Sequence, residues 1–534
     1  MPNLVAQIVL LAWPALTVLL FLRLPASKAI VATILLGLMV LPTRGGFDLP
    51  LLPPLDRFTA PVLSALLCCV LAVGMAKTSG RGGAAPAAPL HRPGWLPDSP
   101  LQRVLIAVML LQPVATAATN GEAVVYGQKV LPGLSLYDAA AVTLETAIAL
   151  VPMLLGRRYL SRPEDVDMLM RFMVGALLIY TIPILYEVRM SPQIHFMVYG
   201  FRPSDFIQAL RGGGYRPLVL MNHGLALATL MALAIVAAAS LASVAAPLKK
   251  GLAWAKAVWL TLVLLLMNSL GAVFLAAAAA PFAGFARRPL QATVAAALAA
   301  MVLLYPLSRA YDLFPTQQIV SAIGGQRAAS LDYRFRNEDI LLDKAIEKPI
   351  FGWGGWARNR VFHPETGRDM SVTDGTWIIS LGVGGIVGFI SRFGLLVAPL
   401  FMLWRLRNRP DLGAQTTGLA LVLAINLVDL LPNSSQWPLT WLIVGVLTGQ
   451  AETLRAAAPA AAAAARRMTP RRRGQPPPRP DPDAPAPAPA GPAPLRRRGP
   501  PAEAEPEAAV RRGAVRPGLG GMAGRRGATP PRRG

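Results

Sequence analysis

Charged residues are scarce in this sequence, and their scarcity argues against a soluble protein. Only 15% of the 534 residues are charged, against roughly 25% in a typical soluble domain, and 54% are hydrophobic. Many apolar stretches reach the ~17–25 residues that a helix needs to cross a hydrocarbon layer. They lack the alternating pattern of membrane barrel strands. The composition therefore predicts an all-α, polytopic transmembrane helical bundle.

Several well-known site motifs are also missing. There is no GxxxxGK[ST] loop for ATP, no GxSxG elbow, and no HExxH or paired CxxC for zinc, so we expect no metal and no cofactor. The net charge of +24 does not indicate a nucleic-acid partner. The stretch after Ala451 supplies +11 of it, from 17 arginines and 6 acids, and most of the remainder lies in short loops.

Thirteen apolar segments are long enough to be counted as candidate spans, and twelve is the alternative because two pairs are closely spaced. They lie near 4–22, 28–42, 60–76, 103–118, 138–156, 168–186, 218–245, 252–268, 270–286, 289–306, 383–404, 413–431 and 437–450. We therefore predict a membrane domain over 1–450. Residues 451–534 are rich in Ala, Pro and Arg, and this composition predicts a disordered tail.

The distribution of Lys and Arg sets the expected orientation. Clusters in alternate short loops place those loops and the tail in the cytoplasm. Two long loops, 187–217 and 307–382, then fall on the external side, yet both are rich in arginine. Either these arginines bind an anionic ligand, because a guanidinium can bind phosphate oxygens in pairs, or they pair with the acids of the same loops.

The first candidate stretch is RGGGYRPLVLMNHG, from Arg211 to Gly224. Arg211 and Arg216 flank a triple glycine, where the backbone can approach an anion closely; the alternative is a flexible turn. His223 is expected a turn or two inside the following helix, as a packing residue or a functional one.

The second stretch is LDYRFRNEDILLDKAIEKPIFGWGGW, in which apolar residues recur at helical spacing from Arg336 onward until Pro349. Arg334 and Arg336 would lie near the start of this helix. Trp353 and Trp356 follow in a glycine-rich turn, either as anchors at the membrane surface or as platforms for sugar rings.

The third stretch is HPETGRDMSVTDGTWIISLG, ahead of a membrane span. Asp374 suits a general base, a helix N-cap, or both, and His363 on the loop is a second base candidate. Arg392 lies inside the span, where an ionisable group is costly, so it is functional, snorkels or lines a helix interface. Gly384 and Gly388 form a GxxxG pair that predicts close helix packing.

RFRNEDILLDKAIEKPIFGWGGW followed by DGTWIISLGVGGIVGFI resembles the signature of the O-antigen ligase and polymerase family, and RGGGYRPLVLMNHGLALATL is similar to that family's arginine before a span. The resemblance implies a fold related to C-type glycosyltransferases. It also implies transfer or polymerisation of an undecaprenyl-diphosphate-linked glycan onto an acceptor hydroxyl, of a glycan or lipid, at the periplasmic side of the bacterial inner membrane.

By the same resemblance, Arg211 or Arg216 and Arg334 or Arg336 would hold the diphosphate, and a loop histidine would activate the acceptor. The chain departs from the family where Thr373-Asp374 replaces a His-Asn-type pair, so Asp374 and His363 both stay candidates.

Two other functions are open from the sequence. One is a transporter or flippase for an anionic lipid-linked substrate, although paired inverted repeats are not evident. The other is a non-catalytic membrane scaffold that assembles with other polysaccharide-assembly proteins. All three functions have membrane lipids as partners and none involves nucleic acid.

Overall fold

The structure is a computed structural model that describes residues 2–47, 53–78, 94–211, 213–434 and 436–468. Within these ranges, the side chains of 72–78, 211, 323, 326, 327 and 458–468 lie outside the description. The predicted tail beyond 468 also lies outside it.

The described chain is mostly α-helical, with two small hairpins. Its sixteen α-helices are α1 Leu4–Arg23, α2 Ala26–Val40, α3 Thr59–Thr78, α4 Pro100–Ala118, α5 Leu136–Tyr159, α6 Pro163–Met190, α7 Ile194–Tyr199, α8 Gly224–Ser243, α9 Pro247–Leu266, α10 Leu270–Phe285, α11 Arg288–Ala310, α12 Thr316–Ile323, α13 Gly325–Glu347, α14 Thr376–Arg405, α15 Ala414–Asp429 and α16 Pro438–Met468. The antiparallel hairpins pair β1 Val124–Tyr126 with β2 Lys129–Leu131, and β3 Leu210–Arg211 with β4 Gly214–Tyr215.

Seven of the described helices are long and apolar enough to cross a membrane: α1, α4, α5, α6, α8, α11 and α14. Four shorter apolar helices, α2, α3, α10 and α15, accompany them. Each of the thirteen apolar segments of the sequence lies on one of the helices. The helical, membrane-type fold is thus confirmed in its coarse form.

Three element boundaries differ from the sequence-based expectation. Helix α8 begins only at Gly224, because residues 218–223 form turns, and α13 begins at Gly325 rather than at Arg336. It ends at Glu347, as the proline two residues later predicts. Helix α16 continues through 451–468, residues that the composition had assigned to the tail.

The centre of the bundle is α8, whose apolar window is 94% buried, whereas only 22% of the α1 window is buried. Alanine dominates α8, so neighbouring helices approach it closely. Glycines serve the same purpose elsewhere: Gly445 of α16 lies against the Met153 carbonyl of α5, and Gly449, one turn later, lies against the Arg157 carbonyl. These contacts fix α5 and α16 side by side and parallel.

The two ends of the bundle differ in character. At one end, the buried Arg157 guanidinium holds Asp98 at 2.8 Å and Glu452 at 2.6 Å, which ties α16 to α5 and to the segment before α4. The other end gathers the long connections, and we call it the loop end. It includes the connections 119–135, 191–223, 311–375 and 430–437, which contain the two hairpins, α7, α12 and α13.

Helix α14 is broken at Gly385, where φ is 62° and ψ is −164°. The turn at residues 349–354 fits into this break: Trp353 N–H donates to the Gly382 carbonyl at 2.9 Å, and Ile386 N–H donates to the Pro349 carbonyl at 2.8 Å. The glycines that were predicted to pack two helices do contact α4, since Gly384 and Gly388 both lie against Gln112. Their segment also contains a break that the GxxxG pattern did not predict.

A side chain at Gly385 should be poorly tolerated. We expect Gly385→Ala to lower the free energy of unfolding by about 2–5 kcal/mol, because its backbone conformation is reserved for glycine and a Cβ would collide with the Ile350 carbonyl. The control is Gly271→Ala in α10, where no atom lies within 4 Å. Thermal unfolding in detergent measures both, and equal midpoints for the two variants would contradict the prediction.

Candidate functional site

At the loop end, α15 and α16 lie lower than their neighbours, and we call the step between these helix ends the depression. Thr417 of α15 bonds to Gln291 of α11 at 2.5 Å, and from that level α11 continues to Ala310 whereas α15 stops at Asp429. At 1.5 Å per residue, α15 therefore ends about 10 Å short of α11. The contact of Gly445 with Met153 sets the alignment of α16 with α5. From it, the start of α16 lies about 15 Å further from the loop end than the start of α5.

The floor of this depression is the connection 430–437, and it is polar. The Asp429 carboxylate accepts hydrogen bonds from Thr229 of α8 at 3.1 Å and from the Asn433 side chain at 2.9 Å. Ser434 is exposed although it lies below the neighbouring helix ends. Asp429 itself is only 6% exposed, so the floor's exposed or partly exposed polar side chains are those of Asn433, Ser434 and Gln436.

Arg334 and Asp374 face each other above this floor. The Arg334 Nε lies 3.7 Å from the Asp374 carboxylate, and its Nη1 donates to the Pro432 carbonyl at 3.4 Å. Both contacts are long, and both side chains are partly exposed, at 28% and 43%. Asp374 is not the N-cap that its position suggested: Gly375 takes that place, and α14 starts at Thr376.

Gly375 is needed beside Asp374 because the chain approaches the floor there. A Cβ at Gly375 would collide with the Leu431 carbonyl, and the Thr376 N–H donates to the Leu430 carbonyl at 2.9 Å. The Asp-Gly pair therefore brings the carboxylate to the edge of the depression and holds it there.

Helix α13, which carries Arg334, is fixed to the bundle by a buried cluster around Glu338. The Glu338 carboxylate accepts from Tyr305 at 2.9 Å and Trp377 at 3.3 Å, and lies 3.3 Å from Arg309. Burial raises the pKa of Glu338, while the Tyr305, Arg309 and Trp377 donors act in the opposite direction. Arg309 also reaches Asp339 at 2.5 Å.

Arg336 is not brought into the same site. It lies two positions after Arg334, which on a helix turns the side chain away, and it pairs with Asp332 at 2.6 Å while staying 74% exposed. The structure therefore separates the two arginines that the resemblance offered as alternatives.

The arginines before α8 are placed differently from the expectation. The Arg211 side chain lies outside the described residues; its backbone belongs to a small hairpin whose turn needs Gly213, at φ 78°. The largely buried Arg216 donates to the Asn268 carbonyl at 3.0 Å. His223 is not inside the helix but caps it, accepting from Leu225 N–H at 3.1 Å.

His363 lies in a hairpin-like turn of the long loop. Its Nδ1 accepts from the Glu365 and Thr366 amides at 3.3 and 3.4 Å, so this nitrogen stabilises the turn. Nearby, Arg360 pairs with Asp369 at 2.6 Å. Within the described part of the chain, His363 makes no hydrogen bond or ion pair with Arg334 or Asp374.

The glycine-tryptophan turn is packed into the bundle. Trp353 is buried and its indole N–H donates to the Lys344 carbonyl at 2.7 Å, with the Lys344 ammonium 3.6 Å from the ring centroid. Trp356 is 62% exposed at a positive φ of 57°. The buried Arg358 donates to the carbonyls of Glu122 and Pro132 at 3.0 and 2.8 Å, which makes it a structural arginine.

Arg392 lies deeper, in α14 beyond the break. Its Nη1 donates to the Gln436 side chain at 2.9 Å, which connects this span to the floor of the depression. Arg392 therefore lies further from the loop end than Arg334 and Asp374 do. An arginine in this position lines a helix interface that adjoins the depression.

Sequence reasoning missed Asp429, Asn433 and Gln436. A signal was present, because an aspartate that ends an apolar run is costly in a membrane and is a functional candidate. The depth of the connection DLLPNSSQ depends on how α15 aligns with α11, which is not visible in the chain order.

The comparisons with known proteins add no family. No protein-family model matches the chain, and a search of curated proteins finds no significant match. The site is therefore interpreted from its own geometry.

The buried cluster around Glu338 should hold α13, and Arg334 with it, in place. We expect Glu338→Gln to weaken this docking by about 1–3 kcal/mol, because the carboxylate that accepts from Tyr305 and Trp377 and pairs with Arg309 is lost. Hydrogen exchange of the α13 amides should rise roughly 5- to 150-fold. Glu347→Gln is the control, since its carboxylate is 54% exposed and pairs with Lys344 one turn earlier on the same helix. Unchanged exchange in Glu338→Gln would show that other contacts dock the helix.

Proposed function

We propose that this chain is a membrane-embedded glycosyltransferase of the O-antigen ligase or polymerase type. It transfers a glycan from an undecaprenyl diphosphate to an acceptor hydroxyl at the periplasmic side of the inner membrane. The observation that carries the proposal is the partly exposed Arg334–Asp374 pair at the edge of a polar depression among apolar helices.

The pair suits an exchange of glycosidic bonds. The acceptor hydroxyl attacks the anomeric carbon of the donor sugar, its proton passes to the Asp374 carboxylate, and the bond from that carbon to the diphosphate oxygen breaks. Negative charge then grows on the leaving diphosphate, where the Arg334 guanidinium stabilises it. Because the present contact of 3.7 Å is loose, little is lost when a phosphate takes the place of Asp374 beside Arg334.

The proposal also assigns the finer membrane topology. Thirteen helices would cross the bilayer, with the loop end in the periplasm and the chain beyond α16 in the cytoplasm. The Arg157 end, which also carries Lys249, Lys250 and Arg405, is then cytoplasmic in accordance with the positive-inside bias. His363 stays an alternative base, and Arg211 a further diphosphate ligand.

A transporter or flippase for an anionic lipid-linked substrate is the second candidate, and the break in α14 favours it. Interrupted membrane helices often line the substrate sites of transporters. Here, however, the 349–354 turn fills the break and bonds its backbone groups. We therefore rank transport second. A non-catalytic scaffold would show neither glycan transfer nor transport.

The proposed transfer is tested with purified protein and an undecaprenyl-diphosphate oligosaccharide, by following release of the lipid diphosphate. We expect Arg334→Ala to lower turnover about 10²- to 10³-fold, as loss of a charge-stabilising donor does, and Asp374→Asn to lower it at least 10²-fold. Arg336→Ala is the matched control and should stay within about twofold of the wild type, because its side chain is exposed and directed away.

Three other results would each redirect the assignment. Equal losses in Arg334→Ala and Arg336→Ala would contradict the placement of the diphosphate at Arg334. A collapse in His363→Ala with an active Asp374→Asn would make His363 the base. Movement of the donor across a bilayer without release of lipid diphosphate would replace the transferase with a transporter. Longer glycans indicate a polymerase, and transfer to an added acceptor alone indicates a ligase.

A further inference from the structure

Four apolar side chains project from the segment between α6 and α8. Phe196 is 52% exposed, Met197 64%, Ile207 78% and Leu210 44%. We call them the apolar patch. Side chains of this size in a polar loop would be unfavourable in water, and their proximity in one short segment points to an apolar or interfacial partner.

The apolar patch continues the outer faces of two apolar helices. Helix α6 has an exposed apolar stripe at Ile179, Ile182, Tyr186 and Met190, spaced as one face of a helix, and it ends four residues before α7. Since α6 has 28 residues, it is about 42 Å long and exceeds a hydrocarbon layer of about 30 Å, so its last turn reaches the interface.

Helix α1 meets the same region from the other side. The Asn3 N–H donates to the Tyr199 carbonyl at 2.9 Å and its side chain donates to the Val198 carbonyl at 2.9 Å. Leu4 and Ile8, in the first turns of α1, are 69% and 54% exposed. The apolar patch thus adjoins the exposed apolar faces of α1 and α6, which are of the type that contacts lipid.

The segment is held rigidly in this position. The buried Glu187 carboxylate accepts from four backbone amides, those of Gln193, Ile194, Leu218 and Val219, at 2.8–3.1 Å. His195 bonds the Phe201 carbonyl at 3.0 Å, and burial lowers its pKa to about 4, so it is neutral at physiological pH. These contacts tie both ends of the segment to α6.

Basic side chains border the apolar patch. The exposed Arg202 lies over the Phe196 and Phe206 rings, at 5.9 and 5.1 Å from their centroids, and Arg189 and Arg44 are exposed nearby. Asp205 is an exposed acid in the same segment. Arginine beside aromatic and aliphatic groups is the usual composition of a surface that binds anionic lipid headgroups. The cleft beneath encloses only about 10 Å³, room for about one water molecule, so it is not a small-molecule site.

We propose that the apolar patch is a membrane-inserted wedge: its side chains enter the interfacial layer of the bilayer, and the bordering arginines contact anionic phospholipid headgroups. The bilayer is favoured over a protein partner because both flanking helices present lipid-type faces that run into the patch. The wedge fixes the height of α6 and of the start of α8 relative to the membrane surface. This inference does not depend on the transferase proposal.

The test measures where single side chains reside when the full chain is in vesicles of phosphatidylethanolamine and phosphatidylglycerol. A Cys68→Ser, Cys69→Ser background receives a nitroxide at Ile207→Cys or Met197→Cys. Ile182→Cys in α6 is the lipid control, and Val125→Cys in β1, 60% exposed at the same bundle end, is the water control. Collision rates with oxygen and with a water-soluble nickel chelate report the surroundings of each label.

We expect labels at positions 207 and 197 to resemble the one at 182, with a ratio of oxygen to nickel collisions several-fold above that at 125. Replacing phosphatidylglycerol with phosphatidylcholine should lower that ratio. Labels that behave like the one at 125 would overturn the proposal. So would dipolar broadening at 207 that disappears on dilution with unlabelled protein, since a second copy would then cover the patch.

Discussion

Inside a hydrocarbon layer every backbone amide and carbonyl must form its hydrogen bond within the protein. At the break in α14, several of these groups lose their partners in the helix and need others. The break at Gly385 frees the carbonyls of Gly382 and Val383 and the amides of Ile386 and Val387, and the 349–354 turn bonds all four. The turn and the span are therefore one structural unit. Thr116 of α4 and Asn120, two residues after that helix, complete it by donating to the Phe351 and Gly352 carbonyls at 2.6 and 2.9 Å.

This unit determines how α13 is held. One end of α13 leads directly into the turn that α14 and α4 fix, and its middle is tied to α11 and α14 through Glu338. Arg334 lies one turn before Glu338 on the same helix, so the guanidinium is carried on a rigid support. A donor fixed before the substrate arrives stabilises developing charge without reorganising, which is how such sites gain most of their effect.

The positions of the helices were predictable because apolar length and composition control them. The roles of individual arginines were not. Arg334 and Arg336 both lie in the signature stretch. They differ only in their position around the helix: Arg334 lies at the depression, whereas Arg336 pairs with Asp332. The break at Gly385 was hidden because its glycines also satisfy a helix-packing pattern. The depression was hidden because it depends on the alignment of α15 with α11 through Thr417 and Gln291, which no local pattern encodes.

The excess of arginine at the loop end has more than one cause. Arg358 and Arg216 are buried and bind backbone carbonyls, so their charge serves the fold, while Arg202 lies among exposed aromatic rings near an apolar surface. Arg334 belongs to neither group. It is partly exposed, its acidic neighbour is 3.7 Å away, and its helix is fixed. In the proposed transfer, an approaching diphosphate would break few good contacts there and would meet a charge already in place, which is the combination that binding an anionic leaving group requires.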